Sequence, residues 1–95
     1  MNDIERINKS IEKSNLILKK YKLLLKNNHP ISSDKNNQVT CELITHLKET
    51  YSFTSEMFIE LISQYRTDKE IIESLGGKEI ANYIANSIEN YLKQE

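Results

Sequence analysis

The stretch Asn15 to Pro30, NLILKKYKLLLKNNHP, decides how this chain is read. Seven of its first eleven residues are apolar or aromatic, and three of the other four are lysine. A helix of this composition can lie on a membrane, touch a nucleic acid, dock on a partner or sit inside a bundle. Upstream of it and within it, Ile4, Ile7, Ile11, Ser14, Leu18, Tyr21 and Leu25 recur every three or four residues, which draws one stripe down a helix of about residues 3–27. At 100° per residue the two halves differ. Up to Asn15 there is only the stripe. From Leu16 onward, Leu16, Ile17, Leu23 and Leu24 widen the apolar arc past half the circumference, and Lys19, Lys22 and Lys26 share the remainder. The first half should therefore lie against one neighbour and the second half be enclosed. Lys20 interrupts the wide arc, so a membrane-surface role for this helix is disfavoured.

Asn-Asn-His-Pro ends the helix, because proline disfavours helix before it and asparagine tolerates a left-handed turn. Residues 31–37 (ISSDKNN) read as a loop. A second helix is expected over about 39–50, with Val39, Leu43, Ile44 and Leu47 inward. Thr54 is a good N-cap for a third, 55–65, and Phe53 and Phe58 can form a hydrophobic staple across it. Thr67 and Glu70 suggest a capping box for a short fourth helix, 68–75, ending at Gly76-Gly77. A fifth, 78–93, offers Ile80, Ala81, Ile84, Ala85, Ile88 and Leu92, its alanines allowing a close approach. Two glycines and one proline in 95 residues are too few turn-formers for a sheet of short strands. The expected fold is all-α, a compact single-domain bundle of four to five helices with a long first helix.

Composition narrows the chemistry. Hydrophobic content is 38%, charged content 28% and net charge −1, a globular rather than disordered profile. No apolar run approaches the ~20 residues of a membrane span, no signal-peptide core opens the chain, and Cys41 is the sole cysteine, so a cytoplasmic setting is expected. Lysine, isoleucine and asparagine are abundant, a bias of AT-rich genomes that hints at a bacterial, phage or plasmid source. Cys41 and His46 stand five residues apart, about 140° on a helix, which is poor for a nucleophile–base pair; Cys41 is expected to be buried or half-buried. His29, Cys41 and His46 match no metal-ligand spacing, and no Gly-rich phosphate loop or catalytic motif is present. No enzyme, cofactor or metal is expected.

The charge is divided. Residues 1–27 carry seven basic and three acidic side chains, and residues 28–95 carry six and eleven. Either the first helix packs against the acidic remainder or its lysine face meets an acidic partner or a phosphate backbone. Tyrosine is plentiful, and Tyr83 and Tyr91, eight residues apart on the last helix, are the pair expected to share a binding face if one is exposed. In size, helix content and cytosolic character the chain resembles the small helical immunity proteins that protect bacteria from their own bacteriocins; the resemblance rests on no motif and carries over no residue. The leading expectation is a non-enzymatic module that occupies a protein partner as an immunity protein, inhibitor, anti-host factor or chaperone. Its candidate partner-binding residues are Ile4, Ile7, Ile11, Lys19, Lys22, Lys26, Tyr83 and Tyr91. Homo-oligomerisation through the isoleucine stripe is compatible with this. The alternative is a small dimeric nucleic-acid-binding regulator that uses the basic first helix or the Gly76–Gly77 corner.

Overall fold

The computed structural model describes residues 2–94. Five helices form a compact all-α bundle measuring 39 × 28 × 25 Å: α1 (Asp3–Lys26), α2 (Asp34–Tyr51), α3 (Ser55–Thr67), α4 (Lys69–Leu75) and α5 (Lys78–Lys93). Local chemistry sets each start. The side chains of Asn2, Ser33, Thr54 and Asp68 each accept a backbone N–H from the first turn of the helix that follows, satisfying donors that have no partner within the helix. Left-handed residues set the ends: Asn28 follows α1, Ser52 closes α2 and Gly76 closes α4.

Two starts differ from the sequence expectation. The second helix begins five residues earlier than expected, at Asp34, because Ser33 caps it and Asn36 points inward rather than to solvent. The polar run that reads as loop is a polar first turn. The fourth helix is capped by Asp68, whose carboxylate accepts from the N–H groups of Glu70 and Ile71 at 3.0 and 3.2 Å. Thr67 still belongs to α3 and bonds back to the Ser63 carbonyl. The expected staple is present, with Phe53 and Phe58 ring centroids 5.0 Å apart.

Helix α5 is the centre of the bundle and packs against each of the other four. Ala81 and Ala85 are fully buried, and their small side chains let neighbouring backbones approach; Ile80, Ile84 and Ile88 fill the space beside them. Ile17, Tyr21 and Leu24 of α1, Val39, Leu43 and Ile44 of α2, and Phe58 and Ile62 of α3 complete the core.

A polar chain runs through that core. The Tyr21 hydroxyl donates to Thr40 Oγ1 at 2.8 Å, Thr40 donates to Asn36 Oδ1 at 3.2 Å, and Asn36 Nδ2 donates to Ser87 Oγ at 2.9 Å. Ser87 ends the chain on the Tyr83 carbonyl at 2.7 Å. All four of these side chains are buried, and together they tie α1, α2 and α5. Burial raises the pKa of the Tyr21 phenol far above its ordinary value of 10.0, so it stays a neutral donor.

Cutting this chain at one point strands the groups on both sides. Thr40→Val should destabilise the protein by about 1–3 kcal/mol in urea unfolding, the cost of leaving a buried donor and acceptor unpaired. Tyr21→Phe should cost less when added to Thr40→Val than when made alone. Additive effects in that double-mutant cycle would show that the two hydroxyls are not coupled.

Candidate functional site

Helix α1 is 24 residues long, about 36 Å at 1.5 Å per residue, so it runs nearly the whole length of the molecule. Only its second half reaches the core: every buried residue of α1 lies at or after Ile17. The first half overhangs. Ile4, Ile7 and Ile11 are 70%, 58% and 51% exposed along one stripe. Polar contacts tie this arm to α2. The Ser10 and Tyr51 hydroxyls lie 2.6 Å apart, and one turn on Ser14 Oγ meets His46 Nε2 at 3.1 Å.

A groove of about 760 Å³ lies where the arm meets the end of α2, between Arg6, Ile7 and Ser10 on one wall and His46, Thr50 and Tyr51 on the other. The His46 ring is buried. Its Nδ1 bonds Thr50 Oγ1 at 3.2 Å, and Tyr51 sits edge-on against it with centroids 6.1 Å apart. Ser14 and His46 have the spacing of a serine–imidazole pair. The imidazole's second nitrogen, however, faces a hydroxyl rather than a carboxylate, and burial and the Lys13 charge outweigh the pull of Glu49 and the Ser10 backbone toward the charged ring. The arrangement orients a neutral ring and fastens the arm to α2.

The lysines of α1 divide in a way the sequence does not reveal. Lys20 bonds both oxygens of Glu42 on α2 at 3.0 and 2.9 Å. Lys19, Lys22 and Lys26 are exposed and make no ion pair among the described residues. Lys22 lies along the Gly76 backbone, where an added Cβ would stand 3.3 Å from its Cε. The enclosure expected for the second half of α1 holds for Ile17 and Leu24 but not for Leu16 and Leu23, which are 57% and 59% exposed. The bundle covers one side of this helix and leaves the other bare.

The remaining sequence candidates are corrected. Tyr83 and Tyr91 do not form an exposed patch: both are half-buried and pack on the core. The Tyr83 hydroxyl donates to the His29 carbonyl at 2.7 Å, and its ring meets Tyr21 edge-on at 6.3 Å. Tyr51 is the exposed tyrosine. Cys41 is exposed, on the outer face of α2. Among the described residues no group of three His, Cys, Asp or Glu side chains could hold a metal ion, and no helix is long and apolar enough to cross a membrane. The Ser14–His46–Thr50 contacts and the exposed Leu16–Leu23 pair escape sequence reading. The first joins helices 32 positions apart in the chain, and the second depends on which side of α1 the bundle covers.

Burial first, then the nearby Lys13 charge, hold the His46 imidazole below its ordinary pKa of 6.5. Near pH 6.5 the unfolded chain therefore takes up a proton that the folded chain refuses. The contribution is fully present above that pH and is lost as pH falls below it. The thermal midpoint should drop between about pH 7 and about pH 5, and His46→Gln should flatten the drop. An unchanged pH profile in the variant would assign the acid sensitivity to other groups.

The chain matches no family model, no curated protein and no solved structure.

Proposed function

We propose that this protein is a non-enzymatic module that acts by occupying a protein partner, in the manner of an immunity protein, inhibitor, anti-host factor or chaperone. The observation that carries the reading is the overhanging arm of α1, with Ile4, Ile7 and Ile11 exposed in one row. Scattered apolar residues on a surface are ordinary, but a row on a helix that extends past its own core is the form in which helices dock into grooves.

Magnitudes indicate what kind of partner fits. Covering these three side chains supplies roughly 3–5 kcal/mol, given about 1.5–3 kcal/mol for a fully buried isoleucine. Association costs about 4–15 kcal/mol in lost freedom. Two such stripes covering each other reach only the range of that cost, so a pair of arms alone would make a weak dimer. A protein that also fills the groove beside Tyr51 and His46 adds the contact the stripe lacks. Charge supports this. From Asn2 to Asn15 the arm carries Asp3, Glu5 and Glu12 against Arg6, Lys9 and Lys13, so shape and apolar contact, not net charge, select what covers it.

The nucleic-acid alternative finds less support. At the Gly76–Gly77 corner, α4 has seven residues and α5 is the central helix of the bundle. The exposed edge of α5 carries Glu79, Asn82 and Asn86 beside Lys78 and Lys93, a poor set for phosphate contact.

A photo-crosslinking amino acid placed at Ile7 in the source organism should capture one protein, and the same group at Glu73 on α4 should not. Ile4→Asp with Ile11→Asp should abolish capture at position 7 while leaving the circular dichroism spectrum unchanged. Equal capture from positions 7 and 73, or none from either, would refute the reading. Sedimentation of the unmodified protein shows whether the captured species is a second copy.

A further inference from the structure

The second bare surface of α1 faces away from the isoleucine stripe. Leu16 and Leu23 are 57% and 59% exposed. They stand seven residues apart, which on a helix of 3.6 residues per turn sets them within about 20° of each other and about 10 Å apart along the axis. The isoleucine row lies about 135° round the helix from them on the same geometry. Lys19 and Lys26 flank the two leucines on one side. On the other, Lys9, Lys13, Leu16 and Lys20 border a depression of about 430 Å³ that reaches across to Glu42 of α2.

Most of this positive charge is uncommitted. Of these lysines only Lys20 is in an ion pair among the described residues, with Glu42. Glu12, one turn before Leu16, and Glu5, about three turns before it and about 20° round the helix, are the carboxylates of α1 on this side. The seven basic and three acidic residues of the first 27 thus resolve into a balanced arm, whose Lys9 and Lys13 reach this face, and four lysines beyond it, of which Lys19, Lys20 and Lys26 stand beside the two leucines.

We infer that this face binds an acidic amphipathic helix of a partner protein, one that presents two apolar side chains about a heptad apart between glutamates or aspartates. Three features of the face select that ligand. The leucines are spaced for one stripe of a helix lying along α1. The lysines stand on both sides of that stripe, where the flanking residues of a docked helix fall, as at the edges of a coiled-coil seam. Two leucines give too little apolar surface to hold a bilayer. They would also sit desolvated and unmatched against a phosphate backbone. The face is separate from the isoleucine stripe, so the inference stands whether or not that stripe is the main docking row.

The test uses the whole protein and a fluorescein-labelled helical peptide with two leucines a heptad apart, flanked by glutamates. The probe's anisotropy should rise on titration. A version with lysine in place of every glutamate should not bind. Leu16→Ser with Leu23→Ser should weaken the acidic peptide by about tenfold or more. Lys19→Glu with Lys26→Glu should do the same and remove most of the salt dependence. Ile7→Asp should leave the affinity unchanged. All these positions are exposed, and circular dichroism checks that the variants fold. No anisotropy change, equal binding of the lysine-flanked peptide, or indifference to both double substitutions would overturn the inference. So would tighter retention on mixed phosphatidylcholine–phosphatidylglycerol vesicles or on duplex DNA, which would reassign the face to lipid or to phosphate.

Discussion

The bundle depends on four buried polar side chains finding one another. Tyr21, Thr40, Asn36 and Ser87 come from three helices, and the Tyr21–Thr40 and Asn36–Ser87 bonds run between helices. An apolar core of isoleucine and leucine tolerates sliding and rotation between helices at small cost, because one methyl group packs much like another. A donor–acceptor chain does not. If α1 rotates or slips by one residue, the Tyr21 hydroxyl loses Thr40, and if α2 shifts on α5, Asn36 loses Ser87. The polar chain thus sets the register of α1 on α2 and of α2 on α5, while hydrophobic burial supplies the bulk of the stabilisation.

That register determines which parts of α1 stay outside. With Tyr21 anchored in the core, Ile17 and Leu24 must turn inward, and Leu16 and Leu23 must turn out. Ile4, Ile7 and Ile11 are carried beyond the end of the core, on an arm whose Ser10 and Ser14 bond Tyr51 and His46. One buried hydroxyl thereby places two exposed apolar rows on different sides of a single helix. The acidic remainder of the chain neutralises little of the basic half: among the described residues Lys20–Glu42 is the one ion pair between α1 and the rest.

The helices themselves were legible from periodicity and capping residues. The all-α class, the staple at Phe53 and Phe58, the inward faces of α2 and α5 and the bounds of α5 all follow from spacing. What was not legible depends on partners distant in sequence. Asn36 reads as loop because it is polar and lies among polar residues, yet it is buried at the centre. Tyr83 reads as a boundary residue that joins a binding face only if one is exposed; its hydroxyl instead closes the loop after α1 through His29. The exposed isoleucine stripe was visible as a narrow stripe. Leu16 and Leu23 were not, since a wide apolar arc suggests enclosure on all sides and gives no sign of which side remains open. Only the bundle geometry separates the covered leucines from the uncovered ones.

Helix α1 has no glycine or proline between its ends, so its arm is a continuation of the core helix without a hinge. A graded lifetime follows along one rod. Amides near Tyr21 open only when the whole protein unfolds, whereas those between Ile4 and Ile11 are restrained by little beyond their own helical bonds and fray far more often. Hydrogen exchange should therefore quicken steadily toward the N-terminus within one unbroken helix. Whatever covers the arm meets a surface already helical for most of the time, and the ordering still to be supplied is confined to the last few turns. Occupancy of the arm would be recorded as a slowing of those few amides, with the rest of the molecule unchanged.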